Sequence, residues 1–357
     1  MTFECANKKA IVYCCDNKYV DYLIVSIYSL VSNFDFSKYK KLNIFILESD
    51  ISLENKSKVE SLSRENVQIT FVGVNHFLDN FLPRSNLKVS QHWSIALYYR
   101  LLIPVIFNEY SNILYLDTDT IVNSDISDLF DIDFASNKVA IVTDTVAPIF
   151  PFYPDRYEQI IKNGLKVPEK YFNSGVILFN IKNINIEEYL SELQDVLEKP
   201  LEFYDQDALN IIFQDKALYL DMKYNLQICF LGWQSEMEKL DVNPQFKEQL
   251  LSASKNPKIV HFIGPWKPWS FLDVYGSHFF WKYARSSIVY ENLIFSNFKG
   301  NTISKEDISV LSNKHKIIIK YKFYSLISKI FLNKNKYFIS RKLKYKQMFS
   351  MISKYRL

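Results

Sequence analysis

Two aspartates one residue apart, Asp117 and Asp119, close the apolar run Ile113-Leu114-Tyr115-Leu116. A short apolar run bounded by polar residues reads as a buried strand, central in a parallel sheet. Alternation along a strand sends Asp117 and Asp119 to one side and Thr118 to the other. Two carboxylates on one face at the exit of a buried strand repel each other and resist desolvation. A divalent cation between them relieves both problems, and oxygen ligands suit Mg²⁺ or Mn²⁺. The same spacing recurs at Asp131/Asp133 and at Asp205/Asp207, so spacing alone does not separate a metal site from a solvated strand end. Only the first pair follows a strand-like run.

Other residues carry chemistry by their surroundings. Arg100 lies amid Leu, Ile and Tyr in HWSIALYYRLLIPVIF (92–107), where a guanidinium needs an anionic partner. A carboxylate or a ligand phosphate would serve equally. His261 ends the apolar run 258–262 and precedes a rigid turn with Gly264, Lys267 and several prolines and tryptophans. A lone histidine is either a hydrogen-bonded core residue or a ligand. Asp205 stands where a helix begins and is either an N-cap or a site acid.

The elements that must position these residues alternate. A strand over 10–15 is followed by a helix from about Tyr19 to Val31, a strand over 42–47, a helix entry at Ser52 and a strand over 67–72. This β-α-β-α-β order opens a doubly wound nucleotide-binding sheet, whose ligands sit beyond the carboxyl ends of its strands. Asp16 ends the first strand and Asp117 a later one, so both are expected at one crevice. Residues 92–107 read as a helix that Pro104 ends or kinks. A further strand over 139–143 leads into Asp144. Residues 147–170, rich in proline, read as a long surface loop before the strand-like 176–179.

Bulk composition narrows the classes. A chain of 357 residues, 48% hydrophobic and 23% charged, has ample core for one large α/β domain or two smaller ones. With only 7 glycines it contains no G-x-G-x-x-G, no P-loop and no G-x-S-x-G, which argues against nicotinamide enzymes, P-loop ATPases and elbow-type serine hydrolases. Cys5, Cys14, Cys15 and Cys229 show neither zinc spacing nor a disulfide framework, and a reducing compartment is expected. No signal-peptide pattern and no membrane-spanning run occurs, so a cytoplasmic protein is expected. The net charge of +4 hides an asymmetry: residues 313–357 hold 13 Lys or Arg and no acid, leaving 30 basic against 39 acidic side chains elsewhere. Interleaved with Ile, Phe, Tyr and Leu, this tail has the composition of an interfacial helix on anionic lipid. A solvated basic helix packed on the domain is the plainer alternative. No nucleic-acid-binding module accompanies the charge, and no nucleic-acid partner is expected.

Five blocks in order, IVYCCDNKY, the helix ending in Tyr99-Arg100, YLDTDTIV, YFNSGVILFN with YDQDALN, and VHFIGPWKPW, span residues 10–269. Together they resemble the retaining glycosyltransferases of family 8, which include bacterial lipopolysaccharide galactosyl- and glucosyltransferases and the glycogenins. The resemblance implies a GT-A-type α/β domain over residues 1–275, with a mostly parallel sheet; beyond it, sequence pattern and composition give a helical extension over 276–357 whose basic, membrane-associating part starts near 313. The resemblance implies transfer of galactose or glucose from a UDP-sugar to a glycan acceptor, and the basic tail points to lipopolysaccharide core or a surface polysaccharide precursor at the inner face of the membrane.

By the same resemblance, Asp117, Asp119 and His261 would ligate Mn²⁺, with Mg²⁺ as the alternative. Asp16 and Tyr19 would hold the uracil and ribose, although Lys18 stands where the family usually has Asn. Arg100, Gly264 and Lys267 would meet the donor's phosphates or sugar. Asp144, Asn173, Asp205 and Gln206 would bind the hexose and line the reaction centre, with Asp205 and Gln206 as the catalytic pair, and His92 would face the acceptor. Two other readings of the paired acids and basic tail are a metal-dependent nucleotidyltransferase and a non-catalytic membrane-associated module. The missing glycine-rich basic N-terminal loop argues against the first, the full set of ligand types against the second.

Overall fold

The computed structural model describes residues 9–82, 87, 94–145, 147, 154–228, 243–271 and 274–300, the last four of these for backbone alone. Two compact units meet in sequence at Leu293 and Ile294. Of the second, only the helical residues 294–300 are described; the basic tail, like His92, Cys5 and Cys229, lies outside the described residues.

The described residues of the first unit hold ten strands: β1 (Lys9–Cys14), β2 (Leu42–Glu48), β3 (Val67–Gly73), β4 (Asn112–Leu116), β5 (Thr120–Val122), β6 (Val139–Thr143), β7 (Phe172–Asn180), β8 (Ala217–Tyr219), β9 (Leu226–Ile228) and β10 (Ile259–Phe262). Seven of them form one sheet in the order β3-β2-β1-β4-β7-β6-β8. Strand β7 runs antiparallel to both neighbours; the other pairings are parallel. The order reverses between β1 and β4, so their carboxyl ends flank the crevice where open α/β sheets bind ligands. Ala10–Cys14 and Ile113–Leu116 are buried throughout, which explains why they read as unbroken apolar runs rather than alternating ones. Cys14 and Cys15 are free thiols in this core.

A second sheet, β5-β10-β9, grows out of the first. After β4 the chain turns through Asp117–Asp119 and re-enters as β5, antiparallel to β10, with His261 opposite Thr120. Strand β9 joins the other side of β10 in parallel, with Val260 opposite Leu226. The outer edge of β5 is covered by helix α1 (Val20–Asn33). There Ser29 Oγ accepts from Val122 N at 3.0 Å and Asn33 Nδ2 donates to Val122 O at 3.0 Å. A strand edge is thus closed by polar side chains at helical spacing, which satisfies backbone groups that would otherwise be stranded.

Two expectations change. Residues 92–107 are not one helix where described: a 3-10 segment, Ile95–Leu102, passes into a short α-helix, Ile103–Ile106. Pro104 lies in that helix's first turn, where its missing N–H costs nothing. Nor is 147–170 a loop where described. It holds a helix, Pro154–Lys162, and a 3-10 turn, Pro168–Lys170, and buries Ala147, Ile160, Leu165 and Tyr171 together.

Candidate active site

The turn after β4 brings three ligand-type side chains to one point. Asp117 N continues the β4–β7 ladder by donating to Gly175 O at 2.8 Å, and Thr120 Oγ1 closes the turn on Asp117 O at 2.7 Å. Phe262 N donates to Asp119 O at 3.1 Å, fixing β10 against the turn. Nε2 of His261 then lies 3.0 Å from Asp119 Oδ1 and 3.5 Å from Asp117 Oδ2. One ligand atom from each residue falls within 4.8 Å of the others. Asp119 Oδ1 is buried, and among the described residues the side-chain group against it is His261 Nε2 at 3.0 Å, so a cation arriving between acid and imidazole would find both ligand atoms already facing it. Two carboxylate oxygens and an imidazole nitrogen suit a divalent ion.

Gly175 makes this convergence possible. A Cβ there would sit 2.1 Å from His261 Cε1 and 2.7 Å from Asp117 Oδ2. Lys267 approaches from the turn after β10, its Nζ 2.5 Å from both Asp119 Oδ2 and Phe262 O. Burial pushes the Asp119 carboxyl up, but Lys267 and His261 beside it hold it well below the usual carboxylate range. Gly264 has φ +69°, a left-handed conformation that lets the chain reverse here and that side chains disfavour.

Arg100 finds its anionic partners inside the protein. Its Nη2 lies 2.9 Å from Asp117 Oδ1 and its Nε 3.0 Å from Asp205 Oδ2. Nη1 donates to Ser174 O at 2.9 Å and to Ser174 Oγ at 3.1 Å, and the guanidinium stacks over the Tyr115 ring. The Tyr115 hydroxyl in turn donates to Asp117. Arg100 therefore ties the acid after β4 to the acid that opens the helix Tyr204–Phe213. Asp205 is not the N-cap, which is Phe203; it lies in the first turn of that helix and faces the arginine. Its burial pushes the carboxyl up to about 6 despite Arg100, with Asp117 adding to the rise.

Beyond Asp205 a polar network continues. Gln206 Oε1 accepts from Ser174 N at 2.9 Å and from Asn173 Nδ2 at 3.2 Å, while its Nε2 donates to Asp144 Oδ2 at 3.1 Å. Asn173 Nδ2 also donates to Asp144 Oδ2 at 3.1 Å. Asp144, Asn173, Asp205 and Gln206 thus form one cluster. At the end of β1, Asp16 Oδ1 accepts from Lys18 N and Tyr19 N at 3.0 and 3.1 Å and shapes the entry to α1. Tyr22 stacks on Trp269 with centroids 3.9 Å apart, and Tyr19 meets the same indole edge-on. Burial pushes the Tyr19 hydroxyl up to about 12, with Asp119, Tyr22, Asp16 and Asp117 adding to it. The half-exposed Tyr19 ring stands where a flat ligand could lie against it. Ser174, Tyr115, Asn225 and Trp269 belong to the site and were not singled out by sequence reasoning. Tyr115, Ser174 and Trp269 lay within quoted motifs; Asn225 lay outside all of them.

A mostly parallel sheet with a paired-acid turn at its switch point is the fold of the GT-A glycosyltransferases, and solved members share it. The chain superposes on the bifunctional glycosyltransferase WbbM with a TM-score of 0.70 and 25% identity over 83% of its length, spanning 52% of that larger chain. On the galactosyltransferase LgtC in complex with donor and acceptor sugar analogs the TM-score is 0.60, at 23% identity, covering 79% of this chain and 96% of that one. The family model for glycosyl transferase family 8 matches residues 10–273, and the chain belongs to that family. Among its relatives are general stress protein A of Bacillus subtilis, 30% identical over 270 residues (73% of this chain, 87% of that protein), and lipopolysaccharide 1,3-galactosyltransferase of Salmonella typhimurium, 27% identical over 254 residues (70% of each).

Proposed function

We propose that this glycosyltransferase moves a hexose, galactose or glucose, from a UDP-sugar to a glycan acceptor with retention of configuration, and that it requires a divalent cation. The carrying observation is the convergence of one ligand atom each from Asp117, Asp119 and His261 within 4.8 Å of one another, beside Lys267. Asp117, Asp119 and His261 would hold the ion, Mn²⁺ before Mg²⁺, which when bound supplies charge to the leaving diphosphate. Lys267 adds a fixed positive charge that needs no proton transfer. Arg100 holds Asp117 and Asp205 at set positions beside the donor. Asp205 and Gln206 present oxygens to the oxocarbenium-like sugar, and Asp144 and Asn173 bind its hydroxyls. Asp16 and Tyr19 take the nucleoside, Gly264 admits the diphosphate backbone-close, and His92 serves the acceptor.

The acceptor we propose is lipid-linked, lipopolysaccharide core or a surface polysaccharide precursor, in keeping with the name of the Salmonella relative and with the basic tail over 313–357. No helix among the described residues is long and apolar enough to cross a membrane. The tail would instead hold the enzyme peripherally on anionic lipid at the cytoplasmic face. The test is release of UDP from UDP-galactose and UDP-glucose with Mn²⁺ and with chelator. Release from one of them that stops on chelation supports the reading. Pyrophosphate release from a nucleoside triphosphate, or no turnover of either sugar nucleotide, overturns it.

A further inference from the structure

His261 has two ring nitrogens, and only Nε2 faces the acids. The other, Nδ1, lies 3.1 Å from Oδ1 of Asn225. Which end of an amide faces a ring is ordinarily an assignment rather than an observation. Here neighbouring groups settle it. The backbone N–H of Gly175 can only donate, and it meets Asn173 Oδ1 at 3.0 Å. The carboxylate of Asp144 accepts from the opposite end of the same amide, Nδ2, at 3.1 Å. Asn173 is therefore anchored at both ends with its oxygen as acceptor. That oxygen also receives Asn225 Nδ2 at 2.9 Å, so the Asn225 oxygen must be the atom turned toward His261. Asn225 and His261 are both almost wholly buried, 1% and 2% exposed, so water does not offer either amide end an alternative.

We infer that Asn225 is a positioning residue: its amide, oriented through Asn173 by the Gly175 backbone and by Asp144, holds a hydrogen on His261 Nδ1 and so aims Nε2 at Asp117 and Asp119. A carbonyl oxygen faces Nδ1 and carboxylates face Nε2, so Nδ1 keeps its hydrogen whether a proton or a cation occupies the other side. The residue sits where this is possible because the 3-10 turn Met222–Tyr224, capped by Asp221 Oδ1 accepting from Lys223 N at 2.8 Å, ends at Asn225 and feeds β9, the parallel neighbour of β10. Hydrogen bonds from the remote nitrogen of a ligating histidine fix its ring and raise its basicity, and removing such partners costs about 10–100-fold in metal affinity. The consequence for a cation rests on the function proposed above; the orientation of the imidazole does not.

The experiment is ¹⁵N-edited NMR of the histidine rings in the full chain at neutral pH, metal-free and with Mg²⁺, with His261 assigned by its loss in His261→Gln. A hydrogen-bonded Nδ1–H on His261 in both states is expected. A ring with Nδ1 bare and its one hydrogen on Nε2 in the metal-free protein would overturn the inference. Asn225→Leu should lose the Nδ1–H signal and bind Mn²⁺ about 10–100-fold more weakly by titration. Asn225→Asp, which keeps an acceptor facing Nδ1, should retain the signal. Unchanged signal and unchanged Mn²⁺ affinity in a folded Asn225→Leu would equally defeat it. Should Asn225→Leu fail to fold, the wild-type spectrum still decides. A wild-type chain that shows Nδ1–H yet binds neither Mg²⁺ nor Mn²⁺ would support the imidazole orientation and refute the cation reading.

Discussion

The pairs Asp117/Asp119 and Asp205/Asp207 have the same spacing and opposite outcomes. The first lies on a turn between two strands, and both carboxylates close on one imidazole. The second lies on a helix, where residues two apart point about 200° from each other. Asp205 accordingly faces Arg100. Asp207 faces the other way, accepting from Tyr171 Oη at 2.5 Å and from Glu202 N and Phe203 N at 2.9 Å each. The third pair, Asp131/Asp133, is on the surface, where Asp131 serves Lys9, Lys38 and Tyr39. What makes two acids a site is the backbone beneath them, and here also the small residue opposite, Gly175.

The sharpest way to break this contrast is to fill the space between the acids. Gly175→Ala should displace His261 or Asp117 and abolish sugar transfer, lowering kcat by roughly 10²-fold or more through misplacement alone. Wild-type kcat in a folded Gly175→Ala would show that the close approach is not needed. Asp205 comes next, because its carboxyl, at about 6, titrates within the working range. Its folded value lies above the unfolded one near 4, so the associated stability is complete below about pH 4 and lost as pH rises through about 6. Relative to Asp205→Asn, the wild type should therefore lose on the order of 3 kcal/mol between pH 4 and pH 7 in urea unfolding. Activity runs the other way, since the ionised form is the useful one: kcat/KM should fall below about pH 6. A flat stability difference would mean that Asp205 is not buried as described.

Smaller effects separate structure from chemistry. Asp207→Asn should lower stability by roughly 1–3 kcal/mol, because it leaves buried N–H donors poorly matched, while kcat stays near wild type. A large kcat loss at unchanged Tm would move Asp207 into the site. Asp131→Ala should change stability by no more than about 0.5 kcal/mol, being a solvent-screened pair.

The strands β1, β4 and β6 were legible as unbroken apolar runs and β2 and β3 by their alternation with helices, whereas the three-residue strands β8 and β9 were too short to carry a pattern. The acids after β4 were legible as a pair but for a different reason from the real one. Strand alternation was to set them on one side, whereas a turn closed by Thr120 does so. Arg100 announced its need for an anion but not which, and the partners are Asp117 and Asp205. Lys267, expected at a diphosphate, rests on Asp119. The helix Pro154–Lys162 was hidden by the prolines around it, one of which starts it. Asn225 could not be read at all, since its role depends on a chain of contacts through Asn173 that joins residues 144, 175 and 261.

The proposed activity depends on a cation held by Asp117, Asp119 and His261. Its most direct test is titration of the full chain with Mn²⁺, followed by the EPR signal of the free ion. One Mn²⁺ bound per wild-type chain, and none in a folded Asp119→Ala, is the expected result. Equal binding by the two proteins, or none by the wild type, would contradict it.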